Sequence, residues 1–436
     1  MKTRNLRPLL LSLLIILSLT LFSGFFAVLF YFNHSHWEKA AQEKLDELSA
    51  RGYPVSLEEV HDRYHAHEFD PADNAAPAYQ NAFAEITESA KSFDFFRNND
   101  NAEFPTPEKL NEFSEVLSEN ETALALLIEA SRRPFVRLDL DFRLGDELVL
   151  SHINPLYGSG NILAADALVA AAAHDVARAE ESLIALFQIA EHFTDEPFFV
   201  SFLNSEAISR YGRIALELIL TKIDFPAETI VALENILKNL EERRSLNFAL
   251  ATALAYGNFS YEQINRRPDW LKDASMPPGI LLFYELSGLK SQDKFGYFKK
   301  TSELIDFAEL SPSERAKTQT PSYIFSTKLL DGEKLQALLI PSNLNDFLDR
   351  DLQSITYLRA ARIGLAAERF RLATGQFPEN LNELVPNYLE KLPIDPYNPD
   401  GSFSWIRENS LHAVRSQGTA KNSSQTIPIE FRLQIR

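Results

Sequence analysis

Residues able to do chemistry concentrate in a few places. The densest is His61-Asp62-Arg63-Tyr64-His65-Ala66-His67-Glu68. Residues four apart on a helix share a face, so His61 and His65 have metal-ligand spacing. With His67 they form a candidate zinc or copper set. Neither H-E-x-x-H nor a second paired motif accompanies them, and a polar surface segment near the bilayer is the competing reading. His174-Asp175 suggests a phosphohydrolase-type dyad, with His192 one helix further on, or else a polar turn between helices. Asp139 and Asp141 share one face of an alternating stretch with Arg137 and Arg143. They read as an acid/base pair, or as a solvated strand face with cross-paired charges. Tyr157-Gly158-Ser159-Gly160 matches neither the G-x-S-x-G elbow nor a G-K-[ST] phosphate loop. It reads as a loop before a helix capped by Asn161. No catalytic set emerges from these motifs, and no cofactor is expected.

Composition narrows the chemistry further. The 436-residue chain has no cysteine, which removes thiol nucleophiles, cysteine zinc sites, iron–sulfur clusters and disulfides together. Its net charge of −18 argues against nucleic acid as a partner and against a surface lying on anionic lipid. The hydrophobic content, 45%, is that of a globular protein with a packed core.

The elements that must position these residues begin with Lys2, Arg4 and Arg7, followed by an uncharged run from Leu9 to Phe32. A run of this length crosses the bilayer's hydrocarbon as a helix. It exceeds a signal-peptide core and lacks an A-x-A-like cleavage site, so a retained anchor is expected. The preceding positive charges place the N-terminus inside. Residues 1–8 then form a cytoplasmic tail and 9–32 the transmembrane helix. The bulk of the chain lies on the extracytoplasmic (periplasmic) face of the inner membrane. Tyr31 and Trp37 suit an interfacial aromatic belt, or Trp37 packs on the first soluble helix.

Residues 33–150 read as a membrane-proximal helical region: helices at 35–50, 75–90 and 107–132, and a strand over Phe135–Leu144 where the period changes to two. Ser56 and Glu59 form a capping-box pattern. Residues 151–265 carry helical hairpins, with runs Asn161–Ala173, Val176–Phe193 and Pro197–Leu220 and a helix from Ala227 to Tyr256. Residues 266–343 are mixed, interrupted by Pro268, Pro277 and Pro278. Residues 344–436 form a C-terminal module: a helix to Thr374, closed by Gly375, then Pro-braced loops, a hairpin of Ser402–Arg407 and Leu411–Arg415, and a third strand at Ile427–Ile435. The expected fold is therefore mainly α: a transmembrane helix, an α-helical hairpin array and a small C-terminal α+β module.

Two resemblances accompany this layout. Leu163–Ile219, with its turn at His174-Asp175 and small residues Ala179 and Ala190, resembles tetratricopeptide-like hairpins, although the Trp-x2-Leu-Gly start and a sustained 34-residue period are absent. That likeness implies a peptide- or protein-binding surface. The string Thr374-Gly375-Gln376-Phe377-Pro378, with Leu392-Pro393-Ile394-Asp395-Pro396, resembles the C-terminal region of type II secretion major pseudopilins over about 363–405. The same string recurs in uncharacterised membrane-anchored bacterial proteins, which the whole chain resembles most. The pseudopilin likeness implies a calcium loop, for which Asp395, Asn398 and Asp400 offer oxygens. Hard cations need six or more such ligands, and Asx residues in a Pro/Gly loop also serve as turn formers. The pseudopilin leader pattern is absent, since no glutamate lies between Leu9 and Phe32.

The sequence thus points to a single-pass envelope protein that binds or scaffolds another envelope protein without catalysis. A component of secretion or pilus-like assembly, and an envelope hydrolase or metalloenzyme, are the alternatives.

Overall fold

Helix α1 runs unbroken from Arg7 to Ala50 in a computed structural model. The model describes residues 7–66, 69–92, 95–96, 103–243, 245–263, 283–284, 286–321, 344–408, 411–422 and 425–434. At 1.5 Å per residue α1 is about 66 Å long, roughly twice the ~30 Å thickness of bilayer hydrocarbon. Its apolar portion is exposed, and it is long and apolar enough to cross a membrane. The helix expected over 35–50 continues from the apolar portion without a break, as the last turns of the same rod. Ala41, Leu45 and Leu48 are buried there against a core that includes Leu250, Phe298 and Ile305. Trp37 packs on Phe295, with ring centroids 5.3 Å apart, and donates from Nε1 to Asn33 Oδ1 at 3.0 Å. Gly52, at φ 84°, lies in the turn that follows.

The rest of the described chain is mainly helical. Helix α2 (Leu57–His65) leads to α3 (Ala76–Glu85), α4 (Glu88–Ser92), α5 (Pro107–Glu119) and α6 (Glu121–Ser131), and these last four pack against α7 (Ile153–Ala172). Helices α8 (Val176–His192) and α9 (Phe199–Ile219) form hairpins with α7. Then come α10 (Ala227–Glu242), α11 (Leu246–Gln263), α12 (Leu289–Glu309), the single turn α13 (Pro312–Arg315) and α14 (Leu344–Thr374). Strands β1 (Ser404–Glu408), β2 (Leu411–Asn422) and β3 (Gln425–Gln434) form one antiparallel sheet in the order β1-β2-β3. The third strand therefore forms, and Gly375 closes α14 in the left-handed region at φ 84°.

Several boundaries differ from the sequence reading. The stretch 107–132 is two helices because buried Asn120 leaves helical geometry, at φ −121°. Its side chain accepts from the Thr87 amide at 2.9 Å and donates to the Val116 carbonyl at 2.8 Å. The stretch 75–90 breaks between Glu85 and Glu88, and 227–256 breaks after Glu242. Phe135–Leu144 is not a strand of any sheet. Its alternation is real, with Val136, Leu138, Leu140 and Phe142 buried. Its backbone, however, makes only an isolated bridge, Ala75 donating to the Phe135 carbonyl at 2.9 Å, and beyond it meets a side chain: Asn74 donates from Nδ2 to the Arg137 carbonyl and accepts from the Arg137 amide, each at 2.8 Å. A short 3-10 helix, Phe142–Glu147, ends the stretch.

Tyr157-Gly158-Ser159-Gly160 is not a loop, and Asn161 is not a cap. All five residues lie inside α7, which begins at Ile153, and Asn161 is fully buried, donating to the Ala90 carbonyl at 3.0 Å. Small residues there admit neighbours: a Cβ on Gly160 would sit 3.0 Å from Ile208 Cγ1. Because α7 is buried on all sides from Leu156 to Ala171, with only Tyr157 and Val169 half-exposed, the central hairpin presents no open concave face along this helix.

One hydrophobic core runs continuously from Leu57 to Leu433, joining the helical body to the C-terminal sheet. Helix α14 is the bridge. On one side Arg359 and Arg362 meet Glu241 of α10 at 2.8 and 3.2 Å. On the other, α14 packs against β2 and β3.

Candidate functional site

His61 and His65 are brought together on α2, as their spacing predicts, with ring centroids 4.5 Å apart. His65 Nε2 lies 3.1 Å from the Leu140 carbonyl and His61 Nδ1 3.5 Å from Asp141. His67 lies outside the described residues. Among the described residues no group of three or more His, Asp or Glu side chains is arranged to hold a metal ion.

The loop residues Asp395, Asn398 and Asp400 are spent on shaping the loop and, for Asp395, on fastening it to β2. Asp395 is fully buried and accepts from the Tyr397 amide at 3.0 Å, the Ser416 hydroxyl at 2.7 Å and the Gln417 amide at 2.9 Å. Asn398 donates to the Ser402 carbonyl at 2.7 Å. Asp400 accepts from the Ser402 amide and hydroxyl at 2.9 and 2.7 Å, and these bonds hold its carboxyl below the usual range. Such bonding is that of Asx turns.

His174 and Asp175 make a turn. His174 takes the left-handed conformation at φ 57°, and Asp175 caps α8 by accepting from the Arg178 amide at 3.2 Å. Asp139 is exposed, and Asp141 pairs with Arg143 at 2.7 Å, so the two carboxylates do not converge.

No partner for His192 is legible in the sequence; the fold supplies one 113 positions away. His192 Nδ1 lies 2.9 Å from the Tyr79 hydroxyl. Burial keeps that phenol protonated, so it donates, fixing the imidazole as its neutral Nε2–H form, with a hydrogen bond to the Arg133 backbone. Burial and the nearby Arg243 charge push His192 down to about 4. Beside it Glu191 accepts from Arg243 at 2.9 Å, and burial raises its carboxyl against that pull. At the same end of α8, His152 meets Glu196 at 2.9 Å, both nearly inaccessible, and Glu196 Oε1 has no partner. These groups lie inside the core.

An opening in the described surface lies in the C-terminal module. A pocket of about 450 Å³ has an apolar floor that includes Ile363, Leu381, Phe403 and Trp405, and a rim carrying Glu379 and Asp400. Its wall is set by the loop after α14: Asn380 and Glu383 cap the 3-10 turn Leu381–Leu384 reciprocally, and Trp405 Nε1 donates to the Pro378 carbonyl at 2.9 Å. No basic side chain lines it. A pocket that sets Asn380, Asn382 and Ser402 beside its apolar residues, with two carboxylates at its edge, suits a group that is part apolar and part positively charged.

Comparison with known protein families, with curated proteins and with solved structures returned no match.

Proposed function

We propose that this protein is a single-pass, membrane-anchored envelope protein that binds or scaffolds another envelope protein without catalysis, its bulk on the extracytoplasmic face. The observation that carries the reading is the continuity of α1: an exposed apolar helix long enough to span passes without a break into turns whose Ala41, Leu45 and Leu48 belong to a folded core. A helix built into the core at one end is a mount for the body above it. The pocket beside Trp405 is the docking point, and its acidic rim favours a partner segment that places an apolar side chain next to lysine or arginine.

The test is light cross-linking in the native membrane, followed by affinity purification of the full-length tagged protein in mild detergent. A reproducible near-stoichiometric partner that is lost from the Glu379→Gln, Asp400→Asn double variant supports the reading. A lone protein that behaves the same with and without the substitutions removes it.

A further inference from the structure

Beside the exit of α1, the chain at Phe283, Tyr284, Leu286, Ser287 and Gly288 lies against the helix. The ring of Phe283 meets that of Phe30 edge-on, with centroids 6.1 Å apart. Three residues on, Asn33 donates from Nδ2 to the Ser287 carbonyl at 2.8 Å. Gly288 sits so close that a Cβ would fall 2.8 Å from both the Asn33 amide nitrogen and the His34 backbone nitrogen. Its backbone is left-handed at φ 81°, which favours glycine. The segment is thus fixed in height along α1: Phe283 is level with the last turn of the apolar run, and Ser287 is level with Asn33, the first polar residue after it.

The side chains sort by the same boundary. Tyr284 and Ser287 are buried, and Tyr284 donates to the buried carboxylate of Asp293. Phe283 and Leu286, three apart on one helical face, are 42% and 59% exposed. Two large apolar side chains therefore face outward where the neighbouring span is itself meeting the interface.

We infer that Phe283 and Leu286 form a second membrane contact, seated in the interfacial layer of the bilayer that α1 crosses. This rests on α1 being a membrane span. The occupant is lipid because the patch is continuous with the lipid-facing surface of α1 through Phe30. The contact is apolar, so it requires no anionic headgroups, in keeping with the chain's net charge of −18. It fixes the body's tilt and leaves it no freedom to swing on α1.

The absence of cysteine allows a direct test. Full-length Phe283→Cys, Leu286→Cys, Leu21→Cys and Val149→Cys variants are labelled with bimane and placed in phosphatidylcholine nanodiscs. Quenching by lipids carrying a nitroxide near the headgroup is compared with quenching by aqueous iodide. Val149, 77% exposed on the body, is the solvent control. Labels at 283 and 286 should be quenched by the lipid nitroxide several-fold more than the label at 149, and be shielded from iodide. If the label at 21 is shielded from iodide while those at 283 and 286 behave like 149, the inference fails and the span stands. If the label at 21 is as open to iodide as the one at 149, both fail.

Discussion

Arg432 Nε of β3 lies 3.1 Å from Glu217 Oε2 of α9, across 215 positions of sequence. Arg213 Nη1 holds the other carboxylate oxygen at 2.9 Å, and the Arg213 guanidinium stacks 4.0 Å over Tyr357 of α14. Burial pushes the Glu217 carboxyl up while both arginines pull it down. The C-terminal sheet is therefore fastened to the helical body by a buried charge as well as by apolar packing. Removing one partner of a buried pair costs ~3–5 kcal/mol when the other is left uncompensated. Here Arg213 remains, so Arg432→Met should cost about 2 kcal/mol, less than that full penalty. Denaturant titration of the full-length protein in detergent measures this. Glu217→Gln and Arg432→Met together should cost less than the sum of the two single changes. If the two substitutions are simply additive, the coupling is absent.

His192 gives a pH dependence of known sign. Its folded value, about 4, lies below the ordinary 6.5, so between these limits the unfolded chain takes up a proton that the folded chain refuses. Its contribution is complete above pH 6.5 and is lost as pH falls toward 4; the full drop amounts to about 3 kcal/mol. Glu191, raised by burial, works in the opposite direction over part of that range. The informative quantity is therefore the difference between wild type and His192→Gln, which keeps an acceptor for Tyr79. The variant's stability should fall less steeply between pH 6.5 and 4. Parallel slopes would place His192 in contact with solvent.

The His192 pair also shows where sequence reading stops. Periodicity finds a helix and its buried stripe: Ile230, Leu233, Ile236, Leu237 and Leu240 recur at helical spacing in α10, and all are buried. It finds the long apolar helix α1 and the C-terminal order of helix, Gly turn and strands because each has local punctuation. Tyr79 and His192 carry no such mark, and nothing local says that two residues 113 apart will share a proton. Local propensity also misreads residues recruited by packing. Gly158, Gly160 and Asn161 look like a loop and its cap, yet tertiary contacts with α4 and α9 hold them inside α7. The pocket rests on loops after α14 meeting β1, and its acidic rim combines Glu379 with Asp400 only once the chain has turned.

Asn74 tests the reading of Phe135–Leu144 as an extended segment without a strand partner. Its side chain serves both backbone groups of Arg137, and its Oδ1 also accepts from the Ala76 amide at 3.0 Å. Asn74→Ala should leave these groups to water or unpaired, at a cost of about 2 kcal/mol. Hydrogen exchange at the Arg137 amide should accelerate with it. Unchanged exchange there would mean that the segment is held by its buried side chains alone.

The seam between α14 and β3 makes the sharpest steric prediction. Gly364 of α14 lies under the buried ring of Phe431: a Cβ at Gly364 would meet Phe431 Cε1 at 2.6 Å and would lie still nearer Cδ1. A helix interior ordinarily prefers alanine to glycine by about 1 kcal/mol, so propensity alone predicts that Gly364→Ala stabilises. Overpacking opposes it, typically costing 1–3 kcal/mol when side chains or backbone must shift. The contact here is with a ring fixed by the sheet on one side and by α14 on the other, so the steric cost should win and the melting temperature should fall. Phe431→Leu alone leaves a partial cavity and should also destabilise. Combined, the two substitutions should cost less than their sum, because the smaller side chain makes room for the new methyl. A Gly364→Ala protein that melts higher than wild type, or a strictly additive pair, would show that Gly364 serves no close approach and that α14 meets β3 with room to spare.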